Sequence, residues 1–157
     1  MNISILGYGN LGRSIANGLK SFDSLKKLYV TKKDIENLRH NIEDKKCILS
    51  SDNLNAVLNS SIIFLTVQPK QFKGLAKEIK GHINSDQIII SPITGISIKD
   101  LEDEFGNDKK IIAGGGIYSH EDLIRYHNAG ADSFSLSTSL INPFKTHNII
   151  KNHKKII

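Results

Sequence analysis

The sequence has one cysteine, no tryptophan and no long apolar run, and each absence excludes a class of protein. A single thiol, Cys47, leaves no internal disulfide to form. Set in KKCILS, it reads as a core thiol rather than a nucleophile. No stretch approaches the roughly 20 apolar residues of a membrane helix. The opening MNISILGYGN lacks the basic segment of a signal peptide, so the expectation is a cytoplasmic protein with no membrane partner. Arginine is scarce too: only Arg13, Arg39 and Arg125 accompany the lysines in a net charge of +5. The lysines are spread along the chain and aromatics are few, so the clustered charge and stacking platforms of a nucleic-acid binder are missing. A basic surface suited to an anionic cofactor, or a merely solvated one, is what remains. The six histidines, His40, His82, His120, His127, His147 and His153, show no metal-ligand spacing. Internal repeats and low-complexity segments are absent as well.

What is present is a regular alternation. Short runs rich in Ile, Val and Leu occur at 3–6, 27–31, 47–49, 62–67 and 87–91, and their continuous apolarity suits strands covered on both faces. Helical spacing fills the gaps. In PKQFKGLAKEIKG the residues Phe72, Leu75, Ala76 and Ile79 form one stripe, with Gly81 as the expected stop. Ile15, Ala16 and Leu19 mark a helix after the first glycine turn. In SIKDLEDEFG, Ser97 and Asp100 form a capping box, Leu101 and Phe105 share a face, and Gly106 ends the helix. Ser119, Asp122 and Gly130 repeat that pattern, and DSFSLS follows as a strand candidate. The predicted fold is α/β, Rossmann-like and doubly wound, with a mainly parallel sheet extended by a C-terminal βαβ segment. At 157 residues the chain is one domain, or one with a short appendage: a nucleotide-binding unit over 1–108 and the C-terminal segment over 109–157.

The first glycine turn carries the chemistry. Gly7, Gly9 and Gly12, with Tyr8, Asn10 and Leu11 between them, form G-x-G-x-x-G between a strand and a helix. A dinucleotide site needs that order. The first glycine makes a tight turn, the second lets backbone approach a pyrophosphate, and the third lets helix and strand pack closely. A tight βα turn without a ligand is the alternative. At the end of the second strand, YVTKKDIENL places Thr31, Lys32 and Lys33 where an NAD site usually has an acid. A hydroxyl and two ammonium groups suit a 2′-phosphate, so NADP(H) is preferred over NAD(H). Asp34 is placed to cap the next helix.

With these motifs in order, the chain resembles pyrroline-5-carboxylate reductase, the oxidoreductase that closes proline biosynthesis, over about residues 2–110. The resemblance rests on ILGYGNLGRSIANGL, SSDNLNAVLNSSIIFLTVQPKQF and IIISPITGISIKDLE. It implies that Gly7 to Gly12 hold the pyrophosphate, Thr31, Lys32 and Lys33 the adenosine phosphate, and Asn53 the adenosine ribose. It further implies that Thr66, Val67, Gln68 and Pro69 line the nicotinamide ribose and that Ser91 lies near the ring. Gln68 departs from the family's usual lysine. Read alone, Asn53 would be a helix cap and Pro69 a first-turn helix proline. The family's substrate is a small cyclic imine that accepts hydride; its catalytic residues are not identifiable here.

After Lys110 that resemblance stops, and the family's helical dimerisation and substrate domain is not expected in the residues that follow. Instead IIAGGGIYSHEDLIRYHNAGADSFSLSTSLINP resembles the last strand–helix units of a dihydroorotate dehydrogenase-like TIM barrel. There, matching glycine and Ser-Thr turns bind the FMN phosphate, which would fall to Gly115, Gly116, Ser137 and Thr138. Two such strands cannot close a barrel but could extend a parallel sheet. The alternatives to a reductase cofactor domain are therefore a non-catalytic nucleotide-binding module, or an FMN or phosphate binder through this segment.

Overall fold

A computed structural model describes residues 1–35, 45–114 and 119–128. Among these residues six strands, β1 (Asn2–Leu6), β2 (Lys27–Thr31), β3 (Cys47–Ser50), β4 (Ile62–Leu65), β5 (Ile88–Ser91) and β6 (Lys110–Ala113), make one sheet in the order β3-β2-β1-β4-β5-β6. Every pairing is parallel. This is the doubly wound order whose direction of winding reverses between β1 and β4, opening a crevice at the carboxyl ends of those strands. β6 continues the sheet beyond residue 108, and the Gly114 N–H donates to the Ser91 carbonyl (2.8 Å).

The helices are α1 (Asn10–Leu19), α2 (Asn53–Leu58), α3 (Pro69–Ile79), α4 (Ile98–Phe105) and α5 (His120–Asn128). Alternation along the strands divides the core into two layers. Ile3, Ile5, Leu28 and Val30 pack with Ala16 of α1 on one face. Leu6, Ile63, Leu65 and Ile89 pack with α2, α3 and α4 on the other. The stripe Phe72, Leu75, Ala76 and Ile79 is buried throughout, and the Phe72 ring meets Phe105 edge-on at 6.2 Å. Burying each such large side chain is worth about 1.5–3 kcal/mol. Among the described residues no helix is long and apolar enough to cross a membrane.

Two boundaries and one burial differ from the sequence expectations. Gly81 does not terminate α3: the helix ends at Ile79 and a 3-10 turn, Lys80–His82, runs through the glycine without a left-handed residue. β4 stops at Leu65 rather than Val67. The Thr66 N–H still donates to the Leu6 carbonyl (2.9 Å), but Gly7 then turns the neighbouring chain away and the ladder ends. Cys47 is half-buried on the edge strand β3, packing against the α1-side core rather than lying within it.

The capping box of α4 is formed as expected. The Asp100 N–H donates to Ser97 Oγ (3.1 Å), while Ser97 N–H and O–H donate to Asp100 Oδ2 (2.8 and 2.6 Å). The Ser97 hydroxyl first, then its backbone N–H, hold the Asp100 carboxyl below its ordinary range. Ser97→Ala should therefore cost about 1 kcal/mol in urea unfolding at neutral pH. Because the folded-state value is depressed, this contribution is present above the ordinary carboxylate range and lost as pH falls through the lowered value. The gap between wild type and variant should narrow in acid; a midpoint unchanged at neutral pH would contradict the capping role.

Candidate functional site

The glycine turn is pinned from two strands. The Thr31 carbonyl, at the end of β2, accepts from the Gly7 and Tyr8 N–H groups (3.2 and 2.8 Å). From just beyond β4, the Thr66 hydroxyl donates to the Gly7 carbonyl (2.8 Å). Gly7 has φ +108°, and a Cβ there would press Thr66 and Val67 at 2.9 Å. Gly12 is packed as tightly: a Cβ would overlap the Gly7 carbonyl oxygen and approach Thr66 Oγ1 at 2.9 Å. Gly9 differs from both. A Cβ there meets nothing within 4 Å.

Gly9 is also the N-cap of α1, which has no side-chain cap and no acid in its first turn. The partial positive charge of that helix end is therefore left for a ligand. It faces a cleft of about 680 Å³ floored by Gly7, Tyr8 and Gly9. One wall carries Thr31, Lys32, Lys33, Asp34, Ser51 and Asn53; the other carries Thr66, Val67, Gln68 and the near side of α3. An anion-accepting helix end, open space at the second glycine and two lysines among the lining residues suit an extended, phosphate-bearing ligand.

The cleft brings together most of the residues singled out from sequence, but not in uniform roles. Thr31 is 2 % exposed, and its hydroxyl donates to Asn53 Oδ1 (2.6 Å), so that proton is already engaged. The Tyr8 ring is part of the α1-side core, and burial pushes its phenol above the ordinary value; Cys47 adds to the rise and Arg13 opposes it. Asn53 does not cap α2. Asp52 does, accepting from the Asn55 N–H (2.9 Å), and this leaves the Asn53 carboxamide turned to the cleft. Gln68 is exposed at the start of α3, where its N–H donates to Gln71 Oε1 (3.1 Å).

Asn10, Leu11, Gly12, Pro69 and Ser91 stand outside the cleft wall. Ser91, at the end of β5, is 1 % exposed, and its hydroxyl has no hydrogen-bond partner among the described residues. Gly115, Gly116, Ser137 and Thr138, Gly130 and the strand expected at 132–137 lie outside the described residues.

Sequence reasoning missed the part of the wall that α3 supplies. Lys70, Gln71, Gly74 and Glu78 line the cleft from α3. Their signal was a second stripe at four-residue spacing beside the apolar one, which reads as an ordinary solvated face. Asp34, expected as a cap, also lines the cleft beside the two lysines.

Residues 2–95 match the family described as NADP oxidoreductase, coenzyme F420-dependent. The chain belongs to this family. Within it, the chain is similar to pyrroline-5-carboxylate reductase 2 of Dictyostelium discoideum, 35% identical over 109 residues that cover 68% of this chain and 36% of the relative. The fold is similar to that of a Coxiella burnetii pyrroline-5-carboxylate reductase, with TM-score 0.63 and 26% identity over 71% of this chain and 42% of that one. It is also similar to the Plasmodium falciparum pyrroline carboxylate reductase solved with NADP bound (TM-score 0.60, 23% identity, 72% and 41% covered). The chain thus spans well under half the length of these oxidoreductases.

Proposed function

We propose that this domain binds NADP(H) in the cleft and serves as the cofactor half of an oxidoreductase that reduces a small cyclic imine, as in pyrroline-5-carboxylate reductases. The observation that carries this reading is the geometry at Gly9: open space at the uncapped start of α1, in a cleft that Lys32 and Lys33 also line. In this reading the backbone from Gly7 to Gly12 receives the pyrophosphate on the α1 dipole. Lys32 and Lys33 pair with the 2′-phosphate, and Asn53 meets the adenosine ribose. Thr66, Val67, Gln68 and Pro69 border the nicotinamide ribose, and Ser91 lies near the ring. When bound, the nicotinamide supplies hydride. The protein supplies position, holding the two ends of the cofactor so that one ring face is presented to the substrate.

Replacing both Lys32 and Lys33 by alanine should weaken NADPH binding by roughly tenfold or more while NADH binding changes by less than about twofold, because only NADPH carries the extra phosphate. Equal losses for both cofactors would reject the assignment of these lysines. Addition of a cyclic imine with NADPH, followed by the absorbance of the reduced nicotinamide, separates the cofactor half from a whole reductase. A cofactor half should bind NADPH without consuming it, and consumption by this chain alone would show that it also provides the substrate pocket.

A further inference from the structure

Glu78 has no place in the site as built so far, yet it lines the cleft and reaches across to another helix. The Asn53 amide nitrogen lies 3.2 and 3.1 Å from its two carboxylate oxygens. On the other side of the same carboxamide, the buried Thr31 hydroxyl donates to Asn53 Oδ1 at 2.6 Å. A carboxylate can only accept, and a buried hydroxyl must find an acceptor. These two demands act on opposite ends of one amide, and only one of its two orientations meets both. With one N–H shared between the Glu78 oxygens, Asn53 retains a second N–H, on a residue whose surface is part of the cleft wall.

We propose that Glu78 is a positioning and specificity-determining residue: it sets the Asn53 carboxamide so that the cleft presents an amide donor to an acceptor on the adenosine half of the ligand, a ribose oxygen, a phosphate oxygen or a ring nitrogen. This rests on the NADP(H) reading above. Stability gives Glu78 little reason to be where it is, because the residue is exposed and exposed polar pairs contribute little to folding. Orientation does give one. Without the carboxylate, the Thr31 hydroxyl alone opposes rotation of the amide, and the rotamer that turns its oxygen outward, meeting ligand acceptors with a repelling lone pair, gains population. Gly74, one turn before Glu78 on the same wall, has open space where a side chain would stand, so ligand can approach the backbone there.

The test is a double-mutant cycle on NADPH affinity, with urea unfolding of every variant as the control. Glu78→Ala should weaken binding roughly fivefold to tenfold, Asn53→Ala about as much, and the double variant no more than about twofold beyond Asn53→Ala. Glu78→Gln keeps an acceptor oxygen and should restore binding to within about threefold of wild type. In the protein without ligand, the side-chain amide resonances of Asn53 should move in Glu78→Ala and stay near their wild-type positions in Glu78→Gln. Additive losses would overturn the inference, as would unchanged binding and unchanged Asn53 resonances in Glu78→Ala. If wild type itself fails to bind NADPH, the cofactor reading falls and this inference with it; additive losses on a wild type that binds remove this inference alone.

Discussion

Gly9→Asp should weaken NADPH binding by ~100-fold or more while leaving the fold as stable as before, or slightly more so. Two properties of the position set these outcomes apart. Gly9 has φ −86° and ψ −160°, which any residue can adopt, and its Cβ would meet no neighbour within 4 Å. As the N-cap of a helix with no side-chain cap, it is a site where aspartate is favoured, since its carboxylate accepts from the first-turn N–H groups. Folding therefore has nothing to lose. The ligand loses twice, because the side chain fills the open space at the second glycine and its charge takes the donors that a pyrophosphate would use. Cofactor titration beside urea unfolding checks both halves. Loss of stability in step with loss of binding would mean that the space at Gly9 is not what the ligand uses.

Gly12→Ala should show the reverse pattern, with stability falling by about 3 kcal/mol. Helix propensity favours the change by about 1 kcal/mol, since Gly12 lies within α1. The added methyl, however, overlaps the Gly7 carbonyl oxygen and stands 2.9 Å from Thr66 Oγ1 and 3.1 Å from Ile5 Cγ2. Gly7 is held by hydrogen bonds to Thr31 at the end of β2 and to Thr66 just beyond β4 and has no room to withdraw, so the helix must shift away from the sheet. Gly18→Ala, on the same helix but with nothing near its Cβ, isolates the propensity effect and should gain roughly 0.5–1 kcal/mol. Urea denaturation of the three proteins measures the difference. A Gly12→Ala protein as stable as Gly18→Ala would mean that the close helix–strand contact is not maintained in solution.

These two glycines also mark what can be read from sequence. The order strand, G-x-G-x-x-G, helix was legible because each position answers a local demand, and the continuous apolar runs announced a parallel sheet buried on both faces. The stripe Phe72, Leu75, Ala76 and Ile79 was legible for the same reason, as periodicity reports the buried face of a helix. The opposite face of α3 was not. Lys70, Gly74 and Glu78 differ in no local way from a solvated surface, and only the sheet order brings them to the cleft and Glu78 against Asn53, 25 residues away. Thr31 was singled out by its place at the end of the second strand and Asn53 by resemblance, but their direct bond, and the burial of the threonine hydroxyl, depend on how β2 and α2 pack. Chain reversals were the other weak point. Gly81 carries the composition of a helix stop, yet the helix tightens through it, while Gly106, at φ +92°, does terminate α4.

The measurement that bears most directly on the account is a fluorescence titration of the unmodified chain with NADPH and with NADH at matched ionic strength, read at the nicotinamide, for which a chain without tryptophan gives a low background. The account predicts saturable NADPH binding, with NADH at least about tenfold weaker for want of the phosphate that Lys32 and Lys33 receive. No saturation by either cofactor, or NADH binding as tightly as NADPH, would contradict it.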